Sequence, residues 1–128
     1  MKTVRFLLLL LLLAAPLRSV THYVALNGGH VPPFTNGWAS AASNIQSVVD
    51  VALPGDAVLV SNGVYASGTR VTPGYALLNR VCVTQSLTLA SLNGPAVTVI
   101  AGAPDPVTSG CGDNAVRGIY VEAGWLIG

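Results

Sequence analysis

Apolar residues change their spacing along this chain, and the change marks out its elements. Over residues 39–52, Ala41, Ile45, Val48, Val49 and Ala52 recur at i, i+4, i+7, i+8 and i+11, which gathers them on one side of an α-helix. Ser43, Asn44, Gln46, Ser47 and Asp50 fall mostly on its polar remainder. Thr35 or Asn36 is placed to cap the helix start, and Pro54-Gly55 ends it. Upstream, residues 23–26 read as a short strand closed by Asn27, Gly28 and Gly29, and the paired prolines and Asn-Gly of residues 30–38 predict a loop. Downstream the helical period does not return. Short runs rich in β-branched residues predict strands over 57–60, 81–83, 87–89, 97–100 and 119–121, and from Trp125 onward, with turns of Asn, Gly, Ser and Pro between them.

Strand centres near residues 59, 82, 98 and 119 lie about 16 to 23 apart, near the spacing expected if each repeat is one layer of a solenoid. Two architectures fit. If Asn62-Gly63 and Asn93-Gly94 are type I′ hairpin turns, the chain is an antiparallel sandwich. If they are corners leading from one parallel sheet to the next, it is a right-handed β-helix. The runs "AVLV" and "VTVI" alternate too little for a strand with one solvated face, but periodicity by itself leaves both architectures open.

Composition narrows the partners. With 128 residues, 9% of them charged and 52% hydrophobic, the chain has the size of one domain and is neither a basic nucleic-acid binder nor an acidic disordered tail. Much of the hydrophobicity sits at the start, where Lys2 and Arg5 precede a leucine-rich run over residues 6–15. As a helix, ten such residues span about 15 Å, half a bilayer core, so the pattern predicts a cleavable export signal over 1–19 and no stable membrane anchor. Beyond it remain Arg70, Arg80 and Arg117 against Asp50, Asp56, Asp105, Asp113 and Glu122, a net charge of about −2.

Export permits a disulfide, and Cys82 and Cys111 both follow the leader. Joined, they close a loop of about 30 residues, a stabilisation of roughly 3–4 kcal/mol by chain entropy. Two thiols packed as small hydrophobes fit the sequence equally well.

A resemblance emerges from the order of several segments: "YVALNG", then "PPFTNGWASAASNIQSVVDVALPGDAVLVSNGVY", "LLNRVCVTQSLTLASLNGPAVTVIAG" and "AVRGIYVEAGWLIG". Together they resemble the amino-terminal cap and first coils of secreted right-handed parallel β-helix proteins, the pectin-lyase-like superfamily, over essentially the whole chain after the leader. The resemblance implies a strand and helix within 20–56 that close the end of a cylinder, a Gly55-Asp56 turn into the first coil, and coils over 57–128. It also implies a fragment, because such proteins continue through many more coils than end at "AGWLIG".

Polysaccharide lyases on that fold hold calcium against a uronate with clustered carboxylates and abstract a proton with Arg or Lys, while its hydrolases use paired aspartates. Here the five acids are scattered singly, so no catalytic, cofactor or metal residue is assigned. Asp56 reads as a turn aspartate bonding nearby amides. Asp105, Asp113 and Asn114 come nearest to a calcium-like cluster but lack an EF-hand or nonapeptide pattern. Arg80 and Arg117, each at a strand entrance, read as carboxylate partners or as stems laid over apolar surface. Trp38, Tyr65, Tyr75, Tyr120 and Trp125 read as packing residues before sugar platforms. The expectation is a secreted β-helix protein that engages polysaccharide when full length, with calcium a possible cofactor of that longer form, and with no turnover by these 128 residues. The alternative is a non-catalytic adhesive or cell-surface protein. Fold does not choose between them.

Overall fold

The computed structural model describes residues 18–122. The export signal read over 1–19, except its last two residues, and the strand read from Trp125 onward lie outside them. In chain order the elements are β1 (Thr21–Val24), α1 (Gly37–Ser40), α2 (Ile45–Val51), β2 (Ala57–Val60), β3 (Gly63–Tyr65), β4 (Arg70–Val71), β5 (Leu78–Val83), β6 (Thr88–Ser91), β7 (Thr98–Ile100) and β8 (Val116–Val121). The chain is mainly β with little helix, as the short β-branched runs predict, and among the described residues no sheet closes into a barrel.

Three sheets form, with strand orders β1-β2-β6, β3-β7 and β4-β5-β8. All pairings are parallel except β4 with β5. From β2 the chain passes through the three sheets in turn by way of β3 and β5, then repeats the order through β6, β7 and β8. Ala57 therefore pairs with Thr88, Gly63 with Thr98 and Leu78 with Val116, separations of 31, 35 and 38 residues. The 16-to-23-residue spacing seen in the sequence is thus not the layer repeat, because it compares strands of different sheets. Since β2 and β3 belong to different sheets, as do β6 and β7, Asn62-Gly63 and Asn93-Gly94 are corners and the antiparallel sandwich does not form.

Apolar burial explains the strands. Val58 and Val60 of β2 point inward and stack beside Val24 of β1, Leu89 of β6, Tyr65 of β3 and Val81 and Val83 of β5, all in one buried cluster. Each such side chain contributes roughly 1.5–3 kcal/mol by leaving water. Leu59 and Ala57, on the other face of β2, are only partly covered, so "AVLV" does alternate in burial although its residue types do not.

Against the expectation of one helix over 39–52, the segment is two short helices split at 41–44. The reason is the free edge of β1: Ala42 donates its N–H to Tyr23 O (3.0 Å) and accepts from Ala25 N (2.9 Å), bonds that a residue inside a helix cannot make. Asn36 precedes α1 without a side-chain cap bond, and Asn44 is the true cap of α2, its Oδ1 accepting from Ser47 N at 2.9 Å. Ile45, Val48 and Val49 then face the core as their spacing predicts. Gln46, assigned to the polar surface by the same spacing, is instead buried. Its Oε1 accepts from Cys82 N (2.7 Å) and its amide donates to Asp50 Oδ1 (2.8 Å), so one side chain occupies the edge of β5 where a neighbouring strand would otherwise bond.

Candidate functional site

The corners following β1, β2 and β6 stack beside one another and build an open groove of about 580 Å³. Its lining includes Asn27, Trp38, Ser61, Asn62, Leu92 and Asn93. Parallel register brings the two later corners into line: Val60 pairs with Ser91, and two residues farther on Asn93 donates its amide to Asn62 Oδ1 at 2.8 Å. That bond uses one donor of Asn93 and one acceptor lone pair of Asn62, and both side chains remain exposed. Trp38 stands on α1 with 38% of its surface exposed, its ring meeting Tyr23 edge-on at 4.9 Å. No charged side chain lines the groove. The surface thus offers amide donors and acceptors beside an aromatic wall, which suits a neutral ligand rich in hydroxyl groups. Sequence reasoning missed the groove because Asn27, Asn62 and Asn93 read only as turn residues; three Asn-Gly corners recurring after strands were the available signal.

The acidic residues are engaged elsewhere. Asp56 is buried, with Oδ1 accepting from Val20 N (3.0 Å) and Oδ2 from Leu53 N (2.9 Å). The backbone-bonding role read for it is therefore present, joined by a partner the sequence did not indicate: His22 Nε2 lies 2.9 Å from Oδ2. Burial pushes the Asp56 carboxyl up, but the hydrogen bonds from His22 and from the Val20 and Leu53 amides outweigh it and hold it below the usual value.

Asp105 is likewise buried and organises the loop before β8, accepting from the N–H groups of Val107 (2.7 Å), Thr108 (3.3 Å) and Asn114 (2.9 Å). The Asn114 and Val107 amides chiefly hold its carboxyl below the usual range. Asp50 pairs with Arg70 at 2.7 Å on the surface. Asp105 thus turns to backbone amides; among the described residues no group of three or more His, Cys, Asp or Glu is placed to hold a metal.

Arg80 is buried but pairs with carbonyls rather than a carboxylate, donating from Nε to Ala101 O (2.7 Å) and from Nη1 to Gly68 O (2.8 Å). Arg117 is exposed on β8. Among the aromatic residues Tyr65 packs in the core, Tyr75 is exposed and Tyr120 is half-buried. The Cys82–Cys111 disulfide left open by the sequence is not formed: both are free thiols, Cys82 buried on β5 and Cys111 exposed on the loop that Asp105 organises. Burial pushes the Cys82 thiol up, keeping it protonated and inert.

No protein-family model matches the chain, and neither a curated protein nor a solved structure matches it.

Proposed function

We propose that this chain is the helix-plugged opening of a secreted right-handed parallel β-helix that engages neutral carbohydrate along its Asn-Gly corners. The β-helix reading is supported by the repeated passage through three sheets in fixed order and by α2 and Gln46 closing the free edge of β5. Export is supported by the basic and leucine-rich start of the sequence. No membrane-spanning helix occurs among the described residues.

The groove of Asn27, Ser61, Asn62, Asn93 and Trp38 is the observation that carries the function. A pyranose ring has an apolar face for the indole and equatorial hydroxyls for the amides. With no cation in the lining, nothing there neutralises a uronate, so neutral glycans are favoured over acidic ones. Asp50, Asp56 and Asp105 are committed to structural bonds, which favours binding over hydrolysis or elimination.

The test is a ¹H–¹⁵N NMR titration of the chain with neutral hexose oligosaccharides and, separately, with oligogalacturonate. Shifts of the Asn62 and Asn93 side-chain amides with the neutral series, lost in Trp38→Ala, are expected. Absence of such shifts at saturating sugar, or a stronger response to the acidic series, overturns the reading.

A further inference from the structure

We infer that His22 carries a proton on both ring nitrogens and forms, with Asp56, a buried ion-pair latch that fastens β1 and the Pro32-Pro33 loop to the turn opening β2. The geometry leaves the ring two acceptors. Nδ1 lies 2.7 Å from Pro33 O, which has only lone pairs to offer, so Nδ1 must donate. Nε2 lies 2.9 Å from Asp56 Oδ2, and one hydrogen must sit between those atoms. It belongs to the nitrogen, because the same carboxylate already accepts N–H groups from Val20 and Leu53, an arrangement that favours its ionised form. Either neutral tautomer would set a ring lone pair against a carbonyl or a carboxylate at hydrogen-bond distance, with no water to intervene: His22 is 3% and Asp56 4% exposed.

The latch joins segments distant in sequence. His22 and Val20 lie at the start of the described chain, Pro33 lies in the following loop, and Leu53 and Asp56 form the turn before β2, which itself pairs with β1. Val58 of β2 stands opposite His22, and His30, on the loop that carries Pro33, turns to Ser43, whose N–H lies 3.2 Å from its Nδ1. Among the described residues no other charged side chain bonds either partner. Each partner's charge is thus answered only by the other and by backbone dipoles, and adding a proton to Asp56 or removing one from His22 unfastens the same three segments.

Long-range ¹H–¹⁵N NMR of the full chain at pH 7.5 reads the state directly, with no mutation that could prevent folding. Both His22 nitrogens are expected at protonated-type shifts, with ring N–H signals slow to exchange. A bare nitrogen on His22 in the folded chain overturns the inference. In the Asp56→Asn variant, if folded, His22 is expected to lose one proton at that pH, and the amides of Val20 and Leu53 to exchange at least tenfold faster. Retention of both protons and unchanged exchange there also overturn it. Neither measurement involves the sugar groove, so its outcome is separate from the proposed function.

Discussion

Replacing Gln46 with Leu removes the side chain that closes the edge of β5 while keeping helix propensity and approximate volume. In the native chain the buried Cys82 N–H donates to Gln46 Oε1 at 2.7 Å, and the Gln46 amide reaches Cys82 O at 3.4 Å. Leu leaves that N–H facing hydrocarbon, a loss of about 1–3 kcal/mol, with the longer contact contributing little. Asp50 also loses a donor but keeps Arg70 and is exposed, so its share is small. Extra apolar burial returns at most about 1 kcal/mol. The net expectation is destabilisation by about 1–2 kcal/mol, a fall in Tm of roughly 5–15 °C for a domain of this size. Urea unfolding monitored by circular dichroism should show a lower midpoint at constant slope, and native-state exchange should show the Cys82 amide losing protection. A variant within 0.5 kcal/mol of the parent, with Cys82 protection unchanged, would refute the idea that Gln46 stands in for a strand.

Three further outcomes follow from the same structure. Ile45→Asp places a carboxylate at a site 2% exposed and should destabilise by several kcal/mol, detected as loss of the cooperative thermal transition. Gly112→Ala drives a methyl into the Asp105 carboxylate, which three backbone N–H groups hold in place; about 1–3 kcal/mol should be lost, read by urea unfolding, while Gly118→Ala, with open space around it and no positive φ, should cost less. Asp56 and Asp105 both sit below the ordinary aspartate value when folded, so their stabilisation is complete above about pH 4, where the unfolded carboxyls are ionised, and falls away as pH drops through the folded values. Acid unfolding should therefore begin below that pH and shift in Asp105→Asn; indifference to that substitution would contradict the assignment.

Much of the strand content was legible because β-branched clusters bounded by Asn, Gly and Pro leave few alternatives: β2 falls on its predicted bounds, and β5, β7 and β8 overlap theirs. β3 was not legible, since Gly63-Val64-Tyr65 looks like the tail of a turn, and missing it concealed the three-strand circuit and halved the apparent repeat. The helix period placed Ile45, Val48 and Val49 correctly but could not foresee that Ala42 would leave the helix to bond Tyr23 of β1, a tertiary demand invisible to local spacing. The same limit hid the site. His22 and Asp56 are 34 residues apart, and the Asn62–Asn93 contact spans 31, so only the parallel register brings these residues together.

That register is the central claim, and interstrand nuclear Overhauser contacts in the folded chain test it most directly. The account predicts backbone contacts linking Leu59 with Ala90, Val64 with Val99 and Cys82 with Tyr120, in the pattern of parallel pairs. Antiparallel contacts across Asn62-Gly63 or Asn93-Gly94, setting the strands on either side of a corner against each other, would contradict it.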